Sequence, residues 1–320
     1  MKYAYYPGCT AEASGAAYDA TSRMVAKELG IELQEIPDWN CCGATEYFSI
    51  DHLPAYALVA RNLALVDADE TPQVIAPCSA CYINLKKVDE NMLKHKDLRA
   101  DVNEALAEGG LSYTPGTVRA RHFLDIVCNE VGCEAVREKS VHSMDSLILI
   151  PYYGCYIGRP EQNFDDTENP QSLDRLLSGL GAHVPDYSLK SSCCGGHMPQ
   201  IGMEIALGIL RRLLDLAAKL NGDAIVVPCP MCQLNLDAYQ SYVNSRFGTD
   251  FHIPIVYFTQ ILGLAMGMDP STLHFGENVV SVEPMLEKLK AAQPIEKPKK
   301  KRDKKALPMP LPLSQDKEQL

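Results

Sequence analysis

Ten of the twelve cysteines in this 320-residue chain fall into two sets that run in the same order. The first set is Cys9, Cys41, Cys42, Cys78 and Cys81, and the second is Cys155, Cys193, Cys194, Cys229 and Cys232. Successive offsets are 32, 1, 36 and 3 in the first set, and 38, 1, 35 and 3 in the second. The flanks repeat as well: YYPGC matches YYGC, CCGA matches CCGG, and APCSAC matches VPCPMC. Agreement over five positions marks an internal duplication. Each copy has to fold so that distant thiols serve one place.

Hydrophobic patterning places these thiols on a framework. Strands are expected at Lys2–Tyr6, Glu32–Ile36 and Gln73–Ala76, with helices at Ala13–Leu29, Leu53–Ala68 and from Ala80. This order indicates a parallel α/β sheet. Helices over Leu98–Ala107 and Arg119–Val131 are expected to bridge to a second half. There the pattern restarts, with strands at Leu147–Tyr152 and Ala224–Val227. Helices follow at Gln171–Leu180, Met203–Leu220, Met231–Val243 and Phe258–Ala265. The expected fold class is α/β, with two pseudo-symmetric Rossmann-like halves built on parallel sheets. The halves are assigned to 1–140 and 141–293. Residues 294–320, with KPKKKRDKK and LPMPLPLS, cannot bury a core and are read as a basic, Pro-rich disordered tail.

Cys9, Cys78, Cys155 and Cys229 each lie just beyond an expected strand, where open parallel sheets bind their ligands. Gly43, Gly195 and Gly196 allow sharp turns beside the cysteine pairs. Pro77 and Pro228 are placed to end the strands that lead into the two C-x-x-C loops.

The opening MKYAYYPGC has no apolar segment behind a basic start. The longest apolar stretch, Ile255 to Met268, is shorter than the roughly 20 residues of a spanning helix. The chain is therefore expected to be cytoplasmic, where thiols grouped by spacing are metal ligands or redox groups more often than disulfides. The net charge of -11 divides into about -16 before Lys297 and +5 from there onward. An acidic body disfavours nucleic acid as the main ligand.

Five thiolates per half exceed the four that structural zinc takes in a tetrahedron, and the four that hold an ordinary cubane cluster. The fifth points either to an enlarged cluster or to four ligands plus a reactive thiol. The spacing leaves both open.

At these residues the chain resembles the B-type subunit of heterodisulfide reductase, with its duplicated CCG domain, over roughly residues 1–265. The resemblance implies two noncubane [4Fe-4S] clusters, one on Cys9, Cys41, Cys42, Cys78 and Cys81, the other on Cys155, Cys193, Cys194, Cys229 and Cys232. It further implies that a disulfide or sulfane-sulfur bond is cleaved or formed between them. The wording around the motifs is closer to Hdr-like proteins outside the methanogens. The substrate is thus either a disulfide or a thiol-bound sulfur, for instance on a lipoate carrier protein. No ferredoxin-type CxxCxxCxxxC run is present. The resemblance therefore implies two partners from an Hdr-like complex, one ferredoxin-like with [4Fe-4S] clusters and one containing flavin. The rival reading is an electron-transfer subunit of a hydroxyacid or succinate dehydrogenase complex.

Other polar residues are weighed against plainer roles. His197, directly after CCGG, is placed to donate a hydrogen bond or a proton, or simply to bond to backbone. Arg159 suits an anionic group or a solvated surface. Asn235 and Asp237 are expected to cap a helix or face solvent, and the stripe Ile205, Leu207, Ile209, Leu210, Leu213 and Leu214 to pack in the core. Cys128 and Cys133, five positions apart, fit neither motif nor one α-helical face and are read as ordinary half-buried thiols.

Overall fold

The structure is a computed structural model that describes residues 1–44, 47–158 and 164–291. Arg159 and the basic tail therefore lie outside the described residues. The first half runs β1 (Lys2–Tyr5), α1 (Ala16–Glu28), β2 (Glu32–Glu35), α2 (Tyr47–Ile50), α3 (His52–Ala64), β3 (Gln73–Ala76), α4 (Ser79–Lys94), α5 (Lys96–Ala107), β4 (Arg119–His122), α6 (Phe123–Asp125), a π-helical segment (Ile126–Gly132) and α7 (Cys133–Lys139). The second runs β5 (Leu149–Pro151), α8 (Ser172–Gly179), α9 (Met198–Ile201), α10 (Met203–Lys219), β6 (Ala224–Val227), α11 (Pro230–Ala238), α12 (Gln240–Phe247), β7 (Ile255–Tyr257), α13 (Phe258–Ala265) and α14 (Glu283–Lys290).

Both sheets are parallel throughout. The first has the order β2-β1-β3-β4 and the second β5-β6-β7. Beyond β5, an isolated parallel bridge between Ile148 and His183 stands where the first sheet has β2. The two halves thus share one strand order. Their central strands are buried along most of their length, Val74, Ile75 and Ala76 on β3 and all four residues of β6, as expected of parallel sheets covered by helices on both faces. Helix α10 shows how a covering helix is held. Leu207, Leu210, Leu213, Leu214 and Ala217 recur at helical spacing and are buried, each leucine contributing about 2 kcal/mol by burial. Ile205, at the start of that stripe, is 62% exposed.

Two expected helices differ from the structure. The segment expected as one helix over Arg119–Val131 opens with β4, which pairs with β3 from Gln73–Arg119 through Ala76–His122. Two arginines in RARH hide the strand signal. Arg121 is nevertheless buried, because Asp125, Glu130 and Gln73 receive its guanidinium. The helix expected over Met231–Val243 is instead two helices, α11 and α12, parted at Tyr239. Strand β7 also escapes the apolar pattern, because Tyr257 ends it and at once caps α13 in a capping box with Gln260.

The halves exchange packing partners. The first helix of the first half, α1, packs on the last helix of the second sheet, α13. The first helix of the second half, α8, packs on α6 and the π-helical segment. At the α1–α13 contact the rings of Tyr18 and Tyr257 stack with centroids 4.3 Å apart. The Tyr18 hydroxyl donates to the Pro228 carbonyl at 3.2 Å, and the Thr21 and Thr259 hydroxyls meet at 2.7 Å. Replacing Tyr18 with alanine is expected to lower the free energy of unfolding by about 3–5 kcal/mol. Tyr18→Phe should cost about 1 kcal/mol. Urea denaturation followed by circular dichroism measures both, and near-equal values for the two variants would assign no weight to the ring stack.

Candidate functional site

The two C-x-x-C loops are built the same way. Pro77 and Pro228 follow the last residues of β3 and β6, as expected, and the next residue caps a helix: Cys78 caps α4 and Cys229 caps α11. Cys81 and Cys232 then fall in the first helical turn. Thiols at a helix N-terminus lie in the favourable end of the helix field for a thiolate.

The cysteine pairs are held from two sides by matching residues. Tyr6 donates its hydroxyl to the Asn40 carbonyl at 2.7 Å, and Tyr152 does the same to Ser192 at 2.6 Å. Asn84 donates its amide to the carbonyls of Cys42 (3.2 Å) and Ala44 (2.5 Å). Asn235 donates to Cys194 (3.4 Å) and Gly196 (2.7 Å). Asn235 is therefore a buried clamp rather than a solvent-facing residue. Asp237, also buried, accepts the backbone N–H groups of Val279 and Val280. A sequence signal for the clamps existed, since Asn84 and Asn235 each stand three residues after their C-x-x-C motif.

All ten patterned cysteines lie among the described residues and form one string of sulfur contacts. Cys9 meets Cys41 at 3.5 Å and Cys42 meets Cys81 at 3.6 Å. Cys41 bonds to its neighbour Cys42, and Cys81 to Cys78. In the second half Cys155, Cys193, Cys194, Cys232 and Cys229 perturb one another's protonation in the same order. Cys78 and Cys229 influence each other's protonation across the two halves. Cys9, Cys41 and Cys193 are exposed and Cys155 is partly so, while the six inner cysteines are buried. Among the described residues, no group of three or more His, Cys, Asp or Glu side chains is arranged to hold a single metal ion.

Room for the inner sulfurs is kept by two glycines. A Cβ on Gly8 would come within 2.9 Å of the Cys81 Sγ, and one on Gly154 within 2.9 Å of the Cys232 Sγ. Both also have φ near +70°, at 78° and 67°, a region that side chains disfavour.

The electrostatics follow from packing so many acidic sulfurs together. Cys41 and Cys193 are drawn down to about 2. Cys41 is bonded by Cys42 and Cys9, Cys193 by Cys155 and Cys194, and each also receives a glycine N–H, from Gly43 and Gly195. Their partners are pushed the other way: Cys42 to about 11 by Cys41, and Cys194 to about 12 by Cys193. Cys9 and Cys155 rise through their pairing with Cys41 and Cys193, with burial adding to the effect. Protons thus have to be shared along the string, since neighbouring thiolates repel and burial penalises each charge. His197, from the other half, also lowers Cys41.

A cavity of about 210 Å³ opens beside the second set, lined by Cys155, Cys193, Cys194, Cys229, Cys232, His197 and Tyr153, with Ala44, Ser79 and Ala80 contributed by the first half. A wider groove of about 560 Å³ runs past Cys9 and Cys41, between Trp39, Glu12, Glu35 and Asp38. At the end of β4, His122 is fully buried. Its Nδ1 accepts the Leu124 N–H, and its Nε2 lies 3.4 Å from the Ser79 hydroxyl, next to Cys78. The sequence carried no signal for this residue, because its strand was hidden.

Comparison with known proteins agrees with this doubled construction. The CCG family model, described as a cysteine-rich domain, matches twice, over residues 3–86 and 150–237. The chain is 32% identical to the B-type subunit of the ferredoxin:CoB-CoM heterodisulfide reductase of Methanosarcina mazei, over 87% of this chain and 94% of that one. It is 30% identical to the membrane anchor of the 8-methylmenaquinol:fumarate reductase of Wolinella succinogenes, over 87% of this chain and 97% of the other. A protein of Archaeoglobus profundus, itself like the B-type subunit of heterodisulfide reductase, is 28% identical over 84% of this chain and 92% of its own. The backbone also superposes on the crystal structure of a hypothetical protein from Helicobacter pylori, with a TM-score of 0.71 and 15% identity, covering 88% of this chain and 52% of that one. That likeness concerns the fold alone. With both copies of the domain matched and its cysteines gathered in one string, this chain belongs to the CCG cysteine-rich-domain family, as a relative of the B-type subunit of heterodisulfide reductase.

Proposed function

We propose that this chain is the catalytic iron–sulfur subunit of a heterodisulfide-reductase-like complex, holding two noncubane [4Fe-4S] clusters and acting on a disulfide or sulfane-sulfur bond. The observation that carries the reading is the cavity lined by all five cysteines of the second set together with Ala44, Ser79 and Ala80, which flank cysteines of the first set. The donor set is compatible with such clusters. It is all sulfur, it numbers five per half, and Gly8 and Gly154 leave open the space that a Cβ would take from Cys81 and Cys232. The ligands would be Cys9, Cys41, Cys42, Cys78 and Cys81 for one cluster, and Cys155, Cys193, Cys194, Cys229 and Cys232 for the other. Bound there, the clusters would supply one electron each to a two-electron sulfur–sulfur bond.

The residues around the sulfurs have distinct tasks. Tyr6 and Asn84, with Tyr152 and Asn235, fix the backbone on either side of each cysteine pair, so that the thiolates face one centre. His197 lines the cavity and acts on Cys41 across the junction, a position from which it can hold a proton for a thiolate that leaves. The relatives support a multisubunit complex; on this proposal its other members are one ferredoxin-like subunit with [4Fe-4S] clusters and one flavin-containing subunit. The substrate is a disulfide or a thiol-bound sulfur, such as one on a lipoate carrier. Among the described residues no helix is long and apolar enough to cross a membrane; a cytoplasmic location is part of the proposal. We propose the boundary between the halves at about residue 140, in the stretch between α7 and β5.

A second reading has its own observation. The fumarate reductase relative aligns over 97% of its length, which favours an electron relay in a succinate or hydroxyacid dehydrogenase complex. Retention of all ten cysteines favours the catalytic reading.

Protein isolated without air should be brown and carry about eight irons per chain if both clusters form. Colourless protein rich in zinc would end both readings. Cys193→Ala is expected to remove about half of the iron, and an unchanged iron content would remove Cys193 from the ligand set. Gly154→Ala should also lower iron, by crowding the Cys232 sulfur, while leaving the far-ultraviolet circular dichroism unaltered. Paramagnetic resonance with added thiol then separates the two functions: a signal that changes on thiol binding supports chemistry at the cluster, and an indifferent one supports a relay.

A further inference from the structure

Cys128 and Cys133 stand outside both cysteine sets, and five residues apart on an α-helix they would point to different faces. The chain between them is not α-helical. Ile126–Gly132 forms a π-helix, whose hydrogen bonds reach i→i+5 and bring residues at that spacing one above the other. Gly132 closes the turn at φ 87°, and Cys133 follows as the first residue of α7. This turn sets the two thiols near enough that each shifts the other's protonation, a proximity that an α-helix would not give.

Their surroundings differ in a way that assigns roles. Cys128 is 7% exposed, and its thiol also donates to the Ser172 carbonyl at 3.5 Å. Cys133 is only half buried. Its thiol is drawn down to about 7, chiefly by the Cys128 hydrogen bond and also by the charge of Arg175 on α8, whereas the same contact and burial push Cys128 up. An accessible thiolate with a buried thiol behind it is the arrangement of an attacking and a resolving cysteine.

We propose that Cys128 and Cys133 form a dithiol–disulfide redox site, separate from the ten patterned cysteines, that exchanges with low-molecular-weight disulfides. The Cys133 thiolate attacks one sulfur of the incoming disulfide, forming a mixed disulfide and expelling one thiolate. Cys128 then loses its proton and attacks the Cys133 sulfur, which breaks the mixed bond and expels the second thiolate. Two electrons pass from the protein dithiol to the disulfide, and one protein S–S bond replaces the one consumed. This inference stands independently of what the ten other cysteines hold.

Oxidised glutathione is the probe, applied to the full chain isolated without air. Excess probe is removed and the remaining thiols are alkylated under denaturing conditions. Tryptic cleavage after Arg121 and Arg137 leaves both cysteines on one peptide, 122–137. That peptide should appear without alkylation and two hydrogens lighter than its reduced form, forming about tenfold faster near pH 7 than expected for an unperturbed thiol. Cys128→Ser should stop at a single glutathione adduct on Cys133, and Cys133→Ser should leave Cys128 free to be alkylated. Both variants should keep the iron content of the parent. A doubly alkylated peptide from the parent protein, an adduct formed first on Cys128, or loss of iron in either variant would overturn the proposal.

Discussion

Ten acidic sulfurs packed into one string, six of them buried, set the terms for the rest of this molecule. Neighbouring thiolates repel, and a thiolate out of water is penalised further. The chain answers only in part with its own groups. It offers glycine N–H donors to Cys41 and Cys193, helix N-termini to the two C-x-x-C loops, and the charge of His197 at a distance. The outcome is uneven: Cys41, Cys193 and Cys229 are held low, and the cysteines next to them are pushed up. Such a site gains most from a partner that is itself positive and prefers sulfur.

Keeping the two sets of cysteines together requires the two halves to be fixed against each other, because the cavity beside the second set is lined from both. The exchange of helices supplies that. The Tyr18 ring stacks on Tyr257 and its hydroxyl reaches the Pro228 carbonyl, one residue before Cys229. Ser79, one residue after Cys78, sits 3.5 Å from the same carbonyl. The packing that joins the halves and the geometry that joins the sulfurs are thus anchored at one peptide group. A shift at the interface is felt at the site directly.

Much of the fold was legible where local pattern and tertiary demand agree. The strands at Gln73–Ala76 and Ala224–Val227 are short apolar runs closed by proline, and both form as expected. Those strands are buried on both faces, so their composition alone announces them. Strand β4 was hidden because its two arginines look like a surface helix, and only the carboxylates gathered around Arg121 make its burial tolerable. Strand β7 was hidden for the opposite reason, since it merges into the apolar helix that follows.

The spacing of the cysteines, the duplication, and the placement of four thiols just past strand ends were all set by the order of residues, because the offsets alone require two equivalent sites. Which cysteine touches which was decided only by the fold. The Ser79 hydroxyl, next to Cys78, reaches the carbonyl of Pro228, next to Cys229, and so joins residues 149 positions apart through packing between the halves. The same holds for Asn235, whose burial depends on the Cys193–Cys194 loop closing over it. It holds also for Cys128 and Cys133, since an offset of five brings thiols together only where tertiary packing against α8 accompanies a π-helical turn. Local sequence sets the spacing of side chains along the backbone. Long-range packing decides which of them share a place, because such contacts repay the entropy of closing long loops only when whole elements dock.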